Sequence, residues 1–333
     1  MWNKRLFWLT AIIGIVGIIL SCNVGQSGGN ITVSKTAQVG LPRSPAVLVS
    51  NGKLLLVGDR GGSLLFWQWP GPPGSVIKGH DDGGMAVAVG LDFATSGGWD
   101  STVKRWDATA QKPRFSVKPF EARVTALCAQ GEDILVGGSN RDTAPKRGLQ
   151  KDRVFLQPGQ LFRVDAMGKL TAIPIKNVGE IDGIACGVGW ILVSDRGEKD
   201  VLRWIHGNEN STIQLEKGPA TALVSRGSEA LVADKAGIWT IDPQRGTRKA
   251  IVTLGLESPQ ILALVPIEDS IFAATSEGVF RWPGATRFSR EGVQPTALAD
   301  HGNFLLVLWE DGLLEQRDAK TGQVIHTKKV PQD

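Results

Sequence analysis

Histidines and clustered acidic residues are the side chains of this sequence that could carry acid–base or metal chemistry. The acidic segment from Asp195 to Asp200 lacks the ligand spacing of a calcium loop, and its flanking strands favour a charged hairpin turn. No nucleophile elbow, phosphate-binding loop or dinucleotide fingerprint is present in the sequence. The histidines are dispersed, and no two of them have zinc-ligand spacing: His80, His206, His301 and His326. We therefore predict no metal and no cofactor, and we assign no catalytic residue.

The elements that would position such residues recur along the chain. Seven segments align on one pattern, a short alternating strand that ends in a turn: LLFWQWP, TVKRWDA, QLFRVDA, VLRWIHG, GIWTIDP, VFRWPGA and LLEQRDA. Each segment follows another apolar strand and a turn rich in Asp, Gly, Asn and Ser, as a hairpin requires. The spacing is about 40 residues with one long exception, which is typical of propeller blades. The sequence therefore predicts an all-β fold, a single β-propeller of about seven four-stranded blades, with eight blades as the alternative if the long interval hides another unit.

The second blade carries a distinctive motif. Gly79-His80 opens this unit, and the segment SGGWDSTVKRWD, from Ser96 to Asp107, forms its middle. These residues resemble a WD40 repeat. The resemblance implies a hydrogen-bonded structural tetrad made of His80, Ser96, Asp100 and Trp106. In such a network each buried polar group satisfies another, so the resemblance implies that His80 is structural and not a catalytic base.

The one departure from the period is an insertion in the third blade, from Asn140 to Gly159. It lengthens the turn between the second and third strands, which opens on the face that usually binds ligands in propellers. A solvated charged loop and a docking loop for an acidic partner or an anionic lipid headgroup are both open interpretations. The candidate partner-binding residues are those of this loop and of the neighbouring hairpin tips: Arg141, Lys146, Arg147, Lys151, Arg153 and Phe155, with Asp195, Arg196, Asp234 and Lys235.

The N-terminus has the layout of an export signal. Lys4 and Arg5 precede an apolar run from Leu6 to Leu20, which is short compared with the roughly 20 residues that a membrane-spanning helix needs. The segment ILSC, ending at Cys22, resembles the lipobox of bacterial lipoproteins, which implies lipidation of Cys22; an ordinary signal or an uncleaved anchor is the alternative. We predict a leader over 1–22, a flexible linker over 23–30 and the propeller over 31–333, anchored to the membrane in the extracytoplasmic cell envelope.

Two further features concern closure and cross-linking of the ring. Cys128 and Cys186 each lie in an apolar run, and two buried free thiols are favoured over a disulfide because buried cysteine commonly behaves as a small hydrophobe. Extra strands are predicted over Ile31–Val39 and Gln323–Val330. Either strand could supply the outer strand that locks the last blade.

Composition and the lack of catalytic motifs favour a binding role. The 37 Lys and Arg residues nearly balance the 33 Asp and Glu residues, so the charge does not indicate a nucleic-acid binder. The first hypothesis is a non-catalytic scaffold whose propeller face docks an envelope protein or peptide. The alternatives are an extracytoplasmic hydrolase or lyase with acidic residues at the central channel, and a cytoplasmic adaptor held by a membrane helix.

Overall fold

The structure is a computed structural model of the chain, and all regular secondary structure among the residues that it describes is β strand. It describes residues 17–22, 33–38, 45–83, 85–90, 92–107, 112–139, 159–176, 178–195, 201–207, 209–216, 218–253, 260–284 and 286–332. The strands form seven four-stranded antiparallel sheets and one separate two-stranded ribbon. The prediction of seven four-stranded blades is confirmed. The long interval in blade 3 separates two strands of one sheet, so the eight-blade alternative is wrong.

The strand bounds follow chain order. The separate ribbon pairs β1 (Gly17–Cys22) with β2 (Val33–Gln38). Blade 1 comprises β3 (Pro45–Ser50), β4 (Leu55–Asp59), β5 (Ser63–Trp67) and β6 (Pro73–Lys78). Blade 2 comprises β7 (Met85–Val89), β8 (Ala94–Gly98), β9 (Val103–Asp107) and β10 (Lys112–Val117). Blade 3 comprises β11 (Arg123–Gln130), β12 (Asp133–Ser139), β13 (Gly159–Val164) and β14 (Leu170–Ile173).

The remaining four blades repeat the same order. Blade 4 comprises β15 (Ile181–Gly187), β16 (Trp190–Asp195), β17 (Val201–His206) and β18 (Glu209–Gln214). Blade 5 comprises β19 (Ala222–Arg226), β20 (Glu229–Asp234), β21 (Gly237–Asp242) and β22 (Thr247–Thr253). Blade 6 comprises β23 (Ile261–Ile267), β24 (Ser270–Thr275), β25 (Gly278–Trp282) and β26 (Thr286–Phe288). Blade 7 comprises β27 (Pro295–His301), β28 (Phe304–Trp309), β29 (Leu313–Asp318) and β30 (Val324–Lys329).

The hydrophobic core lies between the blades. The second strand of each blade is buried along nearly its whole length, because both faces of the sheet pack on neighbouring sheets. The buried apolar residues of the described chain fall into seven clusters, one at each junction between consecutive blades. The outer strands are mostly exposed. The continuous apolar runs of the second strands therefore follow from burial on two faces.

The ring closes by packing of blade 7 on blade 1, without exchange of a strand. Of the two strands predicted as alternatives for the outer strand of the last blade, the N-terminal one pairs instead with β1. The segment Gln323–Val330 does supply an outer strand, β30, to its own blade. At the junction the indole Nε1–H of Trp69 donates to Gln316 Oε1 at 2.6 Å, and Lys328 Nζ donates to Gly71 O at 2.9 Å. Side-chain hydrogen bonds and a shared apolar cluster thus take the place of a closing strand.

Cys128 and Cys186 form a disulfide, which corrects the prediction of two free thiols. Their Cα atoms are 6.2 Å apart, within the range that a disulfide bridges. The two residues lie on β11 and β15, the first strands of blades 3 and 4, which run side by side around the central channel. The repeat itself brings the two thiols together, and this proximity outweighs the general tendency of buried cysteine to remain reduced.

The N-terminal predictions fall mostly outside the described residues. Residues 1–16 of the predicted leader and the predicted linker at 23–30 lie there. Across the part of the chain that the structure describes, no helix is long and apolar enough to cross a bilayer.

Candidate functional site

One face of the ring carries the loops that join the blades and the turns between second and third strands; we call it the top face. On this face the channel opens through a mouth with a cavity of about 480 Å³. Each blade contributes to the mouth a residue at the start of its first strand. These residues are Ala46, Ala86, Thr125, Asp182, Thr221, Leu262 and Thr296.

A β-bulge aims most of these residues at the mouth. The pairing register of the first strand shifts at Ala46, Thr125, Asp182, Leu262 and Thr296. A bulge places two residues opposite one partner and turns a side chain out of its normal alternation. The repeat therefore builds one position per blade that points to the channel opening, and the side chain at that position sets the chemistry of the mouth.

The mouth is largely apolar and hydroxylic. Thr221 Oγ1 and Thr296 Oγ1 donate to backbone carbonyls of the second strand of their own blades, at 3.4 and 3.2 Å. Thr125 Oγ1 donates to the carbonyl of Ile181. Among these seven described positions, Asp182 is the one ionisable residue, and it accepts a hydrogen bond from Ser194 Oγ at 2.7 Å. A ring of inward acidic groups, which the hydrolase or lyase alternative needs, is not formed by these residues.

Beside the mouth lies a cluster of Trp99, Arg123 and Glu180, which we call the Trp99 cluster. The Trp99 side chain is 49 % exposed at the top-face turn of blade 2. The Arg123 guanidinium lies 5.2 Å from the centre of the Trp99 ring, and its Nε lies 3.0 Å from Glu180 Oε1. The cluster thus joins the turn of blade 2, the start of blade 3 and the residue before blade 4. An exposed tryptophan stacked on an arginine is the composition typical of a binding hot spot.

The turn that carries Trp99 is anchored on both sides. Ser101 has φ of 68°, and its hydroxyl donates to the carbonyl of Ala122 in the loop before blade 3. Behind the turn, a Cβ at Gly98 would lie 2.5 Å from the His80 ring, so only glycine fits there. The turn therefore presents Trp99 from a rigid base, which lowers the entropic cost of binding.

The basic insertion emerges next to the Trp99 cluster. Ser139, the last residue of β12, pairs with Arg123 on one side and with Gly159 on the other. Ser139, which precedes the insertion, therefore lies beside Arg123, and Gly159, which ends it, lies one strand further out. The predicted docking residues within it, and Arg196, lie outside the described residues: Arg141, Lys146, Arg147, Lys151, Arg153 and Phe155.

His80, Ser96, Asp100 and Trp106 form a continuous hydrogen-bonded chain. Trp106 Nε1–H donates to Ser96 Oγ at 2.8 Å, and Ser96 Oγ lies 2.7 Å from His80 Nε2. Because the Asp100 carboxylate can only accept, Nδ1–H donates to Asp100 Oδ1 at 3.0 Å, and Nε2 of the neutral ring then accepts from the Ser96 hydroxyl. Each of these four side chains is hydrogen-bonded to another of the four, so His80 is not available as a base for a ligand.

The pKa values of His80 and Asp100 follow from burial and hydrogen bonding. Burial lowers the pKa of His80, and the neighbouring Asp100 only partly opposes this effect. Burial would raise the pKa of Asp100, but hydrogen bonds from Thr102 and His80 outweigh it and hold that pKa below its usual value. His80 is therefore neutral and Asp100 charged at neutral pH.

The predicted aspartates at the other hairpin tips belong to the framework. Asp195 is buried, accepts the Gly179 backbone N–H at 3.0 Å and pairs with Arg203 at 3.1 Å. Asp234 is also buried and accepts the N–H groups of Gly237 and Trp239 Nε1, at 3.0 and 3.1 Å. Both carboxylates are therefore buried and bonded within the framework, and their positions lend no support to the predicted docking role.

Other predicted sites are placed as follows. Lys235 is exposed on the top-face turn of blade 5. Cys22 is the last residue of β1. Within the described ranges, no group of three or more His, Cys, Asp or Glu side chains is placed to hold a metal ion. The Trp99 cluster itself was missed, because its three residues come from segments that only the closed ring brings together.

Comparisons with known proteins show the fold. No protein-family model matches the sequence, and none of the curated proteins is similar to it. Among solved structures, the computationally designed Ika8 protein matches 88% of this chain and 91% of its own, with a TM-score of 0.61 and 17% identity. U3-55K matches 82% of this chain and 90% of its own, with a TM-score of 0.65 and 12% identity. At such identities the likeness shows a β-propeller and no particular activity.

Proposed function

We propose that this protein is a membrane-tethered, extracytoplasmic scaffold that docks an envelope protein or peptide on the top face of its propeller. The observation that carries the proposal is the Trp99 cluster, which lies beside both the channel mouth and the base of the basic insertion. The cluster supplies an aromatic anchor and the insertion supplies positive charge. An acidic partner segment with an apolar residue has the complementary chemistry.

Two observations support the extracytoplasmic location. The leader has the layout of an export signal ending in Cys22. The disulfide between Cys128 and Cys186 is a kind of bond that persists in oxidising compartments and is rare in the cytosol. The two features lie far apart in the chain and point to the same compartment.

The experiment is affinity capture from detergent-solubilised membranes with the tagged full-length protein. The variants are a deletion of 140–158 and Trp99→Ala, and the matched control is Val188→Ala, since Val188 is 96 % exposed at a hairpin tip on the opposite face. We expect one bound protein that is lost with either top-face variant and retained by the control. The same bound set for all four proteins would contradict top-face docking.

The tether is tested separately. Intact mass of the membrane-extracted protein should show cleavage before Cys22 and an added acyl mass, and Cys22→Ala should release the protein from the membrane fraction. A mature protein that retains residues 1–21 would contradict the lipoprotein hypothesis.

A further inference from the structure

A second cavity lies away from the top face, in the cleft between blades 5 and 6. Its volume is about 490 Å³, within the range typical of small-molecule sites. Blade 5 contributes Thr240 and the edge strand around Ile251, and blade 6 contributes Ile271 and the Trp282-Pro283 pair. Charged residues of both blades also line the cavity: Arg226, Glu229, Lys249 and Asp269.

The cleft is open because one side chain is short. At the register position of Thr240, the other blades carry larger side chains: Phe66, Arg105, Arg163, Trp204, Arg281 and Gln316.

Most of these larger side chains bridge to the following blade. Arg105 Nη1 donates to the Glu132 carbonyl of blade 3 at 2.7 Å, and Gln316 accepts the indole N–H of Trp69 in blade 1. Thr240 Oγ1 instead donates to the Lys249 carbonyl of its own blade at 3.4 Å. The gap between neighbouring blades is therefore bridged at most other junctions and remains open between blades 5 and 6.

The four charges of the cleft are balanced, and none of them forms an ion pair within the part of the chain that the structure describes. Arg226 and Glu229 lie directly opposite each other across the β19–β20 hairpin, yet they form no ion pair. Lys249 on β22 and Asp269 at the β23–β24 turn also form no ion pair with any described residue. Two cations and two anions therefore border an apolar floor of Trp282, Ile251 and Ile271.

We infer that this cleft binds an amino acid with a large apolar side chain. Arg226 and Lys249 would hold the carboxylate, Glu229 and Asp269 would hold the ammonium group, and the side chain would lie against Trp282. A zwitterion fits because its two charged groups compensate both the cations and the anions of the cleft. A ligand with a single charge would leave two side chains of its own sign without a counter-charge. The site is independent of the top-face docking proposed above.

The test is calorimetric titration of the full-length protein with L-tryptophan, N-acetyl-L-tryptophan and L-tryptophan amide. Blocking either charged end should weaken binding at least about tenfold, because each end makes charge-assisted hydrogen bonds. Thr240→Gln, which introduces the side chain that blade 7 carries, should abolish binding by filling the cleft. Trp99→Ala, on the top face, should leave the affinity unchanged.

A second variant tests the inference even if Thr240→Gln fails to fold. Lys249→Gln alters an exposed side chain and should weaken L-tryptophan binding while leaving binding of the amide unchanged. Equal affinity for the three compounds, unchanged binding by a folded Thr240→Gln variant, or no heat of binding up to about 10 mM would each overturn the inference.

Discussion

Loss of the disulfide between Cys128 and Cys186 is the perturbation whose magnitude is set most directly by the structure. The bond closes a loop with a sequence separation of 58 residues. The loop-closure entropy that such a cross-link removes from the unfolded chain corresponds to about 4 kcal/mol at 25 °C. Replacing both cysteines by alanine should lower the free energy of unfolding by close to that amount.

The assay is equilibrium urea unfolding of the full-length protein with and without a reducing agent. With a slope of about 3 kcal/mol/M, reduction should shift the midpoint by roughly 1.3 M. The double alanine variant is the matched control, since a reductant should not move its midpoint. Thiol titration of the oxidised, denatured protein should detect no reactive thiol at Cys128 or Cys186. Reactive thiols at Cys128 and Cys186, or no midpoint shift on reduction, would refute the cross-link.

Three further predictions concern the framework. Ser96→Ala should lower the free energy of unfolding by about 2–4 kcal/mol in the same assay, because it leaves two buried groups without partners, Trp106 Nε1–H and His80 Nε2. The free energy of unfolding should fall as pH drops below about 6.5. The reason is that burial lowers the pKa of His80 in the folded state, so the unfolded chain takes up the proton at a higher pH. The melting temperature of His80→Gln should therefore depend less steeply on pH between 7 and 5 than that of the unaltered protein. Gln316→Leu should lower the free energy of unfolding by about 1–3 kcal/mol by orphaning the Trp69 N–H at the ring closure, and an unchanged midpoint would contradict closure through this bond.

The sequence predicted the blades because each blade is a local unit. Turn residues between short apolar strands recur at one period, and hairpins form between neighbours in the chain. Blade 2 also carries the four residues of its hydrogen-bonded chain within one stretch from His80 to Trp106. Local order of this kind is visible in one sequence.

Features that join different blades could not be predicted in the same way. The Cys128–Cys186 bond requires two first strands to lie side by side in matching register. The Trp99 cluster depends on a turn, a strand start and a loop from three blades meeting at one edge of the channel. The cleft between blades 5 and 6 depends on the contrast between Thr240 and the larger side chains at the same register position of the other blades.

The central claim is that a partner docks on the top face at Trp99. The most direct measurement replaces Trp99 with a photo-reactive phenylalanine derivative in cells and identifies cross-linked proteins after irradiation, with the same substitution at Val188 on the opposite face as the control. We expect a specific adduct with an envelope protein from position 99 and none from position 188. Adducts from position 188 alone, or the same adducts from both positions, would contradict it.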